Sequence, residues 1–384
     1  MTRRVLHVTP YLDAAAGGPP VVVERLAEGA DPNGYAARIL TSAALTEDGG
    51  AALGRRHGVA VVPSQARAIF GSGQRRVAEI VRAVDIVHLH TLWSPLVAAA
   101  AAAARRAGVP YVLSPHGMAA PWSTRQKSLR KRIYWGLVER RTVANAARVV
   151  FTSAAERDQA TLLEAGARTA VIPLGADAPP APRAELAAAF LAEHPDLVGR
   201  PLLLFLGRLH PKKRPEALVA AMPAILTAVP NAVLLFVGGG ERRIVQALTR
   251  QAQELGLGSS VRLLGPRTGV CKWRVLAAAS LFTLPSQQEN FAIAAAEALR
   301  SGVPVLTTRQ VDIWQEIVAA DAGRALDETD IVGSIAREVV ALLGDGAAAA
   351  AMSENAVRLA ESTFTWHRCA ERTHVLYDEV RADA

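Results

Sequence analysis

Apolar positions along the chain cluster into short runs separated by longer alanine- and leucine-rich spans. In the first half the runs are "RVLHVTP" (4–10), "ARILTS" (37–42), "VAVVP" (59–63), "DIVHLH" (85–90), "PYVLSPHG" (110–117), "RVVFTS" (148–153) and "AVIPLG" (170–175). Their length and content of branched side chains predict strands, and the spans between most of them have helical length. Strands alternating with helices predict right-handed βαβ units and a parallel sheet covered on both faces. The pattern pauses at "GADAPPAPRAEL" (175–186), whose three prolines predict a linker. It restarts with "PLLLFLG" (201–207), "AVLLFVGGG" (232–240), "VRLLG" (261–265), "LFTLPS" (281–286) and "PVLTT" (304–308). The expected fold class is therefore α/β, with two Rossmann-like, doubly wound parallel-sheet domains in series.

Bulk composition supports that outline. A chain of 384 residues exceeds what one hydrophobic core usually serves. At 51% hydrophobic and 20% charged it reads as a folded globular protein rather than a disordered one. The longest apolar run, "LVAAAAAAA" (96–104), stops at Arg105 and Arg106. It is about half the ~20 residues that a spanning helix requires. The amino terminus leads straight into the first strand run without a cleavable apolar region. Two cysteines, Cys271 and Cys369, lie far apart without metal-ligand spacing. A cytoplasmic protein is expected. The net charge of +8 suits an anionic partner. Nucleic acid is not expected, because no recognisable module occurs and aromatic residues make up only 5%.

In doubly wound sheets, ligands bind beyond the carboxyl ends of the strands. After "LLLFLG" comes "RLHPKKRPE", which places Arg208, Lys212 and Lys213 in a turn and at a helix start. After "LLFVG" comes "GGER", and Gly238 and Gly239 at this junction let a ligand approach the backbone closely. Helix amino termini offer unpaired N–H groups that attract phosphate. After "FTLPS" comes "QQENFAIAAAEALRSGVP", with Glu289 and Glu297 eight positions apart. A fully helical span would separate their backbones by ~12 Å. Glu289 is expected in the loop, so the two acids are assigned separate roles rather than a glycosidase-like pair. The helix carrying Glu297 is apolar nearly all round and expected to be buried. Its carboxylate therefore needs partners, either Arg300 as an ordinary i,i+3 contact or ligand hydroxyls.

The ordered set "GRLHPKKR", "FVGGGE", "LLGP" and "LPSQQENFAIAAAEALRSGVPV" resembles the retaining glycosyltransferases of the GT4 family, which have the GT-B fold. The likeness extends more weakly into the first half through "GGPPVVVERLAEG", "DIVHLHTLWSP" and "YVLSPHGM". It implies two domains facing a central cleft: an acceptor-side domain over 1–178 and a donor-binding domain over 179–364. A closing helix over 365–384 is expected to pack back onto the first. It also implies a retaining hexosyltransferase that moves a sugar from a nucleoside-diphosphate sugar to a saccharide or lipid-linked acceptor in surface polysaccharide synthesis. Glu289 to Glu297 matches the family's E-x7-E motif, the first acid binding donor-sugar hydroxyls and the second the ribose. Gly207 opens the segment whose Arg208 and Lys213 match the basic pair on the diphosphate. Backbone near Gly265, Pro266 and Arg267 would meet the base, and the stretch Asn290, Phe291, Ala292 and Ile293 would offer amides. Gly17 and Gly18 match the family's glycine loop, and His116 in "SPHGM" the histidine beside the transferred sugar.

Two departures stand out, since the family usually has Gly at the positions of Ala292 and Arg214. A positive φ there would make these side chains costly. His88 and His90 have the spacing of a metal pair on a strand, but without a third ligand they are read as core residues. The chain has no D-x-D triplet. Arg208, Lys213 and helix amino termini are expected to carry the diphosphate charge, so no metal or other cofactor is expected. The run "WSTRQKSLRKRIYWGLVERR" (122–141) is basic with Trp122 and Trp135, and is read as a possible peripheral contact with anionic membrane on its inner face. Competing readings are a sugar-nucleotide epimerase on the same fold, or a non-catalytic nucleotide-sugar binder.

Overall fold

The computed structural model describes residues 2–12, 18–42, 58–62, 64, 65, 68, 70–120, 128–160 and 167–383. The chain divides into two compact units, Met1–Leu174 with Trp366–Ala384, and Gly175–Thr365.

The first unit holds strands β1 (Arg3–Val8), β2 (Tyr35–Ser42), β3 (Val59–Val62), β4 (Ile86–His90), β5 (Tyr111–Ser114), β6 (Arg148–Phe151) and β7 (Thr169–Val171). They form one parallel sheet in the order β3-β2-β1-β4-β5-β6-β7. The order reverses between β1 and β4, which pair in register His7 to His88. Alternate side chains of these strands serve different layers. Leu6, Val8, Val87 and Leu89 join the main core cluster with residues of the helices Gly71–Arg82 and Pro95–Ala107. His7, His88 and His90 occupy the intervening positions. There Tyr377 of the helix Trp366–Ala382 reaches His88.

The alanine run became the helix Pro95–Ala107, buried along most of its length. Ser94 caps it by accepting from the Val97 N–H at 3.3 Å, Pro95 supplies the pre-set φ of a first turn, and Gly108 ends it in the left-handed conformation.

The second unit holds β8 (Leu202–Leu206), β9 (Val233–Val237), β10 (Val261–Gly265), β11 (Leu281–Leu284), β12 (Val305–Thr308) and β13 (Gly323–Leu326). The parallel order is β10-β9-β8-β11-β12-β13, reversing between β8 and β11. β8 and β9 are buried at every position, as a strand covered on both faces requires. The expected linker is shorter than its sequence pattern. Arg183–Leu186 is already the first turn of the helix Arg183–Glu193, because Pro182 precedes a good helix-forming run. Arg183 is tied down by the carbonyls of Ala277, Ala279 and Gly302.

Candidate functional site

The switch point of the second sheet gathers the charged residues. His210 accepts from the Lys212 N–H at 3.1 Å, capping a single turn over Pro211–Lys213. The Gln287 N–H donates to the Lys212 carbonyl at 2.8 Å, tying the loop after β11 to the turn after β8. Glu289 lies in that loop, as its spacing predicted, and bridges in parallel to Val311. The Asp312 N–H donates to the carbonyls of Glu289 and Asn290 at 3.1 and 3.2 Å. With the backbone so held, Lys213 Nζ comes within 2.9 Å of Glu289 Oε1, both side chains being about one-sixth exposed. Burial pulls Lys212 below the usual lysine range, opposed by the charge of Glu289 and reinforced by Lys213 and Arg208, while buried Asp312 raises it. Arg208, Lys212, Lys213, Glu289 and Asp312 therefore share one electrostatic environment.

The glycines next to this cluster permit close backbone crossing. The Gly207 N–H donates to the Val237 carbonyl, the Gly238 N–H to the Gly265 carbonyl, and the Leu209 N–H to the Gly239 carbonyl, at 2.7–2.9 Å. Gly238 has φ +145, and a Cβ there would overlap the Gly207 carbonyl group. A Cβ on Gly207 would lie 3.4 Å from Lys213 Nζ, so the ammonium sits over that glycine. A Cβ on Gly239 would lie 3.9 Å from Pro266, the residue after Gly265. The loops after β8, β9 and β10 thus bring Gly207, Gly238, Gly239 and Pro266 side by side, with half-buried Arg267 next along the chain.

Glu297 is buried on the helix Ile293–Arg300, and Lys272 pairs with it, Nζ to Oε1 2.5 Å. The Lys272 ammonium also stands 4.7 Å over the ring of Trp273. The sequence offered no signal for this pair, because Lys272 comes from the helix Gly269–Ala278. Phe291 is buried edge-on against Phe364, leaving only its backbone for a ligand. Ala292 has φ 57 and Arg214 φ 49, so both positions where the resembled family favours glycine adopt the left-handed conformation. Arg214 reaches Glu328 at 3.6 Å.

On the first unit, Gly18 begins the helix Gly18–Glu28, and Gly17 lies outside the described residues. His116 follows β5 with φ 50. Its Nε2 lies 3.0 Å from Nδ1 of His90, and burial pushes its pKa down to about 4. Next to it, the Gly117 N–H donates to buried Glu156 at 2.6 Å. Thr91 and Trp93, after β4, also have positive φ. The Trp93 N–H donates at 2.6 Å to Glu139, whose pKa burial pushes up to about 7. The third histidine that the sequence reading lacked is His7, buried beside His88 and His90. Of the basic run 122–141, residues 122–127 lie outside the described residues. Trp135 packs against Trp93, with ring centroids 6.3 Å apart.

Two doubly wound parallel sheets of seven and six strands, with glycine-lined strand ends and a cationic cluster at a switch point, define a GT-B type of transferase. The family described as glycosyl transferases group 1 matches residues 190–358, and a glycosyl transferase 4-like domain matches residues 17–175. A D-inositol 3-phosphate glycosyltransferase of Actinosynnema mirum is 31% identical over 320 residues, 77% of this chain and 73% of that protein. The enzyme of the same name from Nocardia farcinica is 34% identical over 240 residues, 61% of this chain and about half (52%) of its own length. Among solved structures, the Anabaena protein HepE in complex with UDP and glucose superposes with a TM-score of 0.78 at 20% identity, covering 98% of this chain and 100% of that one. The chain belongs to the group 1 (GT4) glycosyltransferases. Among the described residues no helix is long and apolar enough to cross a membrane.

Proposed function

We propose that the chain transfers a sugar, with retention of anomeric configuration, from a nucleoside-diphosphate sugar to a hydroxyl of a saccharide or lipid-linked acceptor in surface-glycan synthesis. The observation that carries this is the cluster of Arg208, Lys212, Lys213 and Glu289 at the carboxyl ends of β8 and β11, where the strand order reverses. Breaking the bond between the anomeric carbon and the diphosphate builds negative charge on the leaving group. Arg208 and Lys213, with amides at strand and helix ends, are placed to stabilise that charge without a metal ion. Lys213 would exchange its ion pair with Glu289 for the diphosphate, releasing Glu289 to accept from sugar hydroxyls. Glu297 would hold the ribose, with Lys272 beside it. Pro266 and Arg267 would border the base, and His116 would act at the transferred sugar. A donor containing UDP is favoured by the likeness to the Anabaena protein, which binds UDP and glucose.

A lipid-linked acceptor is supported by the helix beginning at Ser128 and continuing to Ala144. Leu129, Ile133 and Leu137 recur every fourth residue and are 70%, 56% and 72% exposed, with exposed Arg132, Arg140 and Arg141 on the same segment. Apolar side chains flanked by arginines suit the inner face of an anionic membrane.

The test is a binding panel of UDP-, GDP- and ADP-sugars followed by turnover with the tightest donor, and product analysis with that donor alone. Lys213→Ala is expected to lower kcat by about 10²–10³-fold, the usual effect of losing one such donor group. Full turnover by that variant refutes the assignment, and an altered sugar on the intact nucleotide without acceptor would show an epimerase instead.

A further inference from the structure

The first unit places three histidines in an unbroken line at its own switch point. His116 Nε2 lies 3.0 Å from His90 Nδ1, and His90 Nε2 lies 3.1 Å from His7 Nδ1. His7 and His90 are fully buried, on β1 and β4. Every ring in the line is fixed by a paired strand or by strained backbone, since His116 holds φ 50. We propose that His90 and His7 are positioning residues, a chain of N–H···N hydrogen bonds that fixes the ring plane and tautomer of His116.

The chemistry of neutral imidazole makes the three tautomers interdependent. A neutral ring carries one N–H and one bare nitrogen. If His90 carries its proton on Nδ1, it donates to His116, and His7 must donate to His90. If the proton is on Nε2, both bonds reverse together. No other assignment satisfies both bonds, so the polarity adopted dictates whether Nδ1 of His116, the nitrogen not bonded to His90, carries a proton. His90 and His116 are uncharged near neutrality, because burial pushes His90 well below the ordinary histidine range and His116 to about 4. A second-neighbour bond that sets which nitrogen works is a common device around functional histidines.

His88 completes the cluster from outside the line. Its ring stacks on His90 with centroids 4.0 Å apart, and its nitrogens meet Tyr377 Oη at 2.6 Å and Ser114 Oγ at 2.8 Å. Ring nitrogens of His7, His88 and His90 lie within 4.8 Å of one another, the approach that a metal site also requires. An ion held there would have to displace one of the two bonds of His90 and one partner of His88. The hydrogen-bonded chain uses the nitrogens as they stand.

This inference rests on His116 being a site residue, but its measurement needs no substrate. Ring nitrogen resonances are recorded at pH 7 on the full chain labelled with [15N]histidine. His7, His90 and His116 should each show one protonated and one bare nitrogen, with N–N coupling across both hydrogen bonds. His90→Leu should leave His116 averaging between tautomers, whereas His90→Asn, whose amide reaches the Nδ1 position, should hold it in one. Averaging at His116 in the unaltered chain or in His90→Asn overturns the proposal. So does an unchanged single tautomer in His90→Leu, or stoichiometric transition metal in the purified chain by elemental analysis. If His90→Leu does not fold, the unaltered chain and His90→Asn still decide. A His116→Ala chain with undiminished turnover would instead sink the site assignment and leave the hydrogen-bonded chain standing.

Discussion

Replacing Gly238 by alanine tests whether backbone crossing at the strand ends builds the cationic site. A Cβ there would overlap the Gly207 carbonyl oxygen and lie 2.7 Å from its carbon, so the two segments must separate by about 1 Å. The hydrogen bonds from Gly207 to Val237 and from Gly238 to Gly265 stand in the way of that movement. Strain at φ +145 costs about 1–3 kcal/mol and forced overpacking about 1–3 kcal/mol more, so roughly 3 kcal/mol or above is expected. Gly256 is the control, since it has φ +66 with nothing within 4 Å of a built Cβ, and alanine there should cost only about 1–2 kcal/mol. Hydrogen exchange of peptides from β8 and β9 across a urea series reads the local stability of both variants. Gly207 also carries the Lys213 ammonium over it, so donor affinity should fall with stability, and turnover on the order of 10²-fold for a 1 Å displacement. If Gly238→Ala is no less stable than Gly256→Ala and binds donor normally, the crossing does not build the site.

Three further outcomes are expected. Ala292→Gly should leave thermal stability unchanged or raise it by about 0.5 kcal/mol, because relief of strain at φ 57 offsets the extra freedom of glycine in the unfolded chain; a clear loss would mean the left-handed turn is not strained. Lys272→Met should destabilise the second unit by about 2–3 kcal/mol in urea, since it takes the paired ammonium from the buried Glu297 carboxylate, and adding Glu297→Gln should recover most of that. Acid should weaken the first unit. His88, His90 and His116 have folded pKa values below the unfolded ~6.5, so stability is present above that pH and is lost as pH falls toward about 4. Each contributes a slope of about 1.4 kcal/mol per pH unit. Glu139, raised to about 7, and Glu156, also raised by burial, act with the opposite sign and offset part of that slope, while His374, lowered by burial, adds to it. A first-unit urea midpoint that stays flat from pH 6.5 to 4.5 would contradict neutral buried histidines.

Most strands were legible because each is a short run of branched or leucine side chains ended by Gly, Pro or Ser. β13, Gly323–Leu326, was not, since a four-residue sheet-edge strand containing Gly and Arg carries no such run. The position of Glu289 in a loop followed from its spacing, and the positive φ at Ala292 and Arg214 was a readable risk once the resemblance had marked those places. Partnerships were illegible. Lys272 and Glu297 sit on separate helices, and His7 meets His88 and His90 only through the register of β1 against β4. Local sequence records periodicity and turn chemistry, whereas cross-strand register and helix packing are decided by the whole sheet.

The two switch points solve opposite electrostatic problems. In the second sheet, the Lys213–Glu289 and Lys272–Glu297 pairs are each largely withdrawn from water, with Lys side chains 16% and 21% exposed. A cation left alone at that depth would lose hydration without recompense, and a carboxylate would likewise. Pairing offsets the lost hydration of both partners, and an entering diphosphate would take the lysine only if the freed acid found another donor. On the proposed reading, sugar and ribose hydroxyls would supply that donor, so an isolated pyrophosphate should bind less well than its area of charge suggests, while a complete nucleotide sugar would satisfy both members of each pair. The first sheet does the reverse. Its histidines are driven neutral by burial, and they present direction rather than charge. On the same reading, fixed charge would serve the leaving group and an uncharged, oriented ring the sugar, a division that keeps a cation from the positive anomeric carbon that forms as the bond breaks.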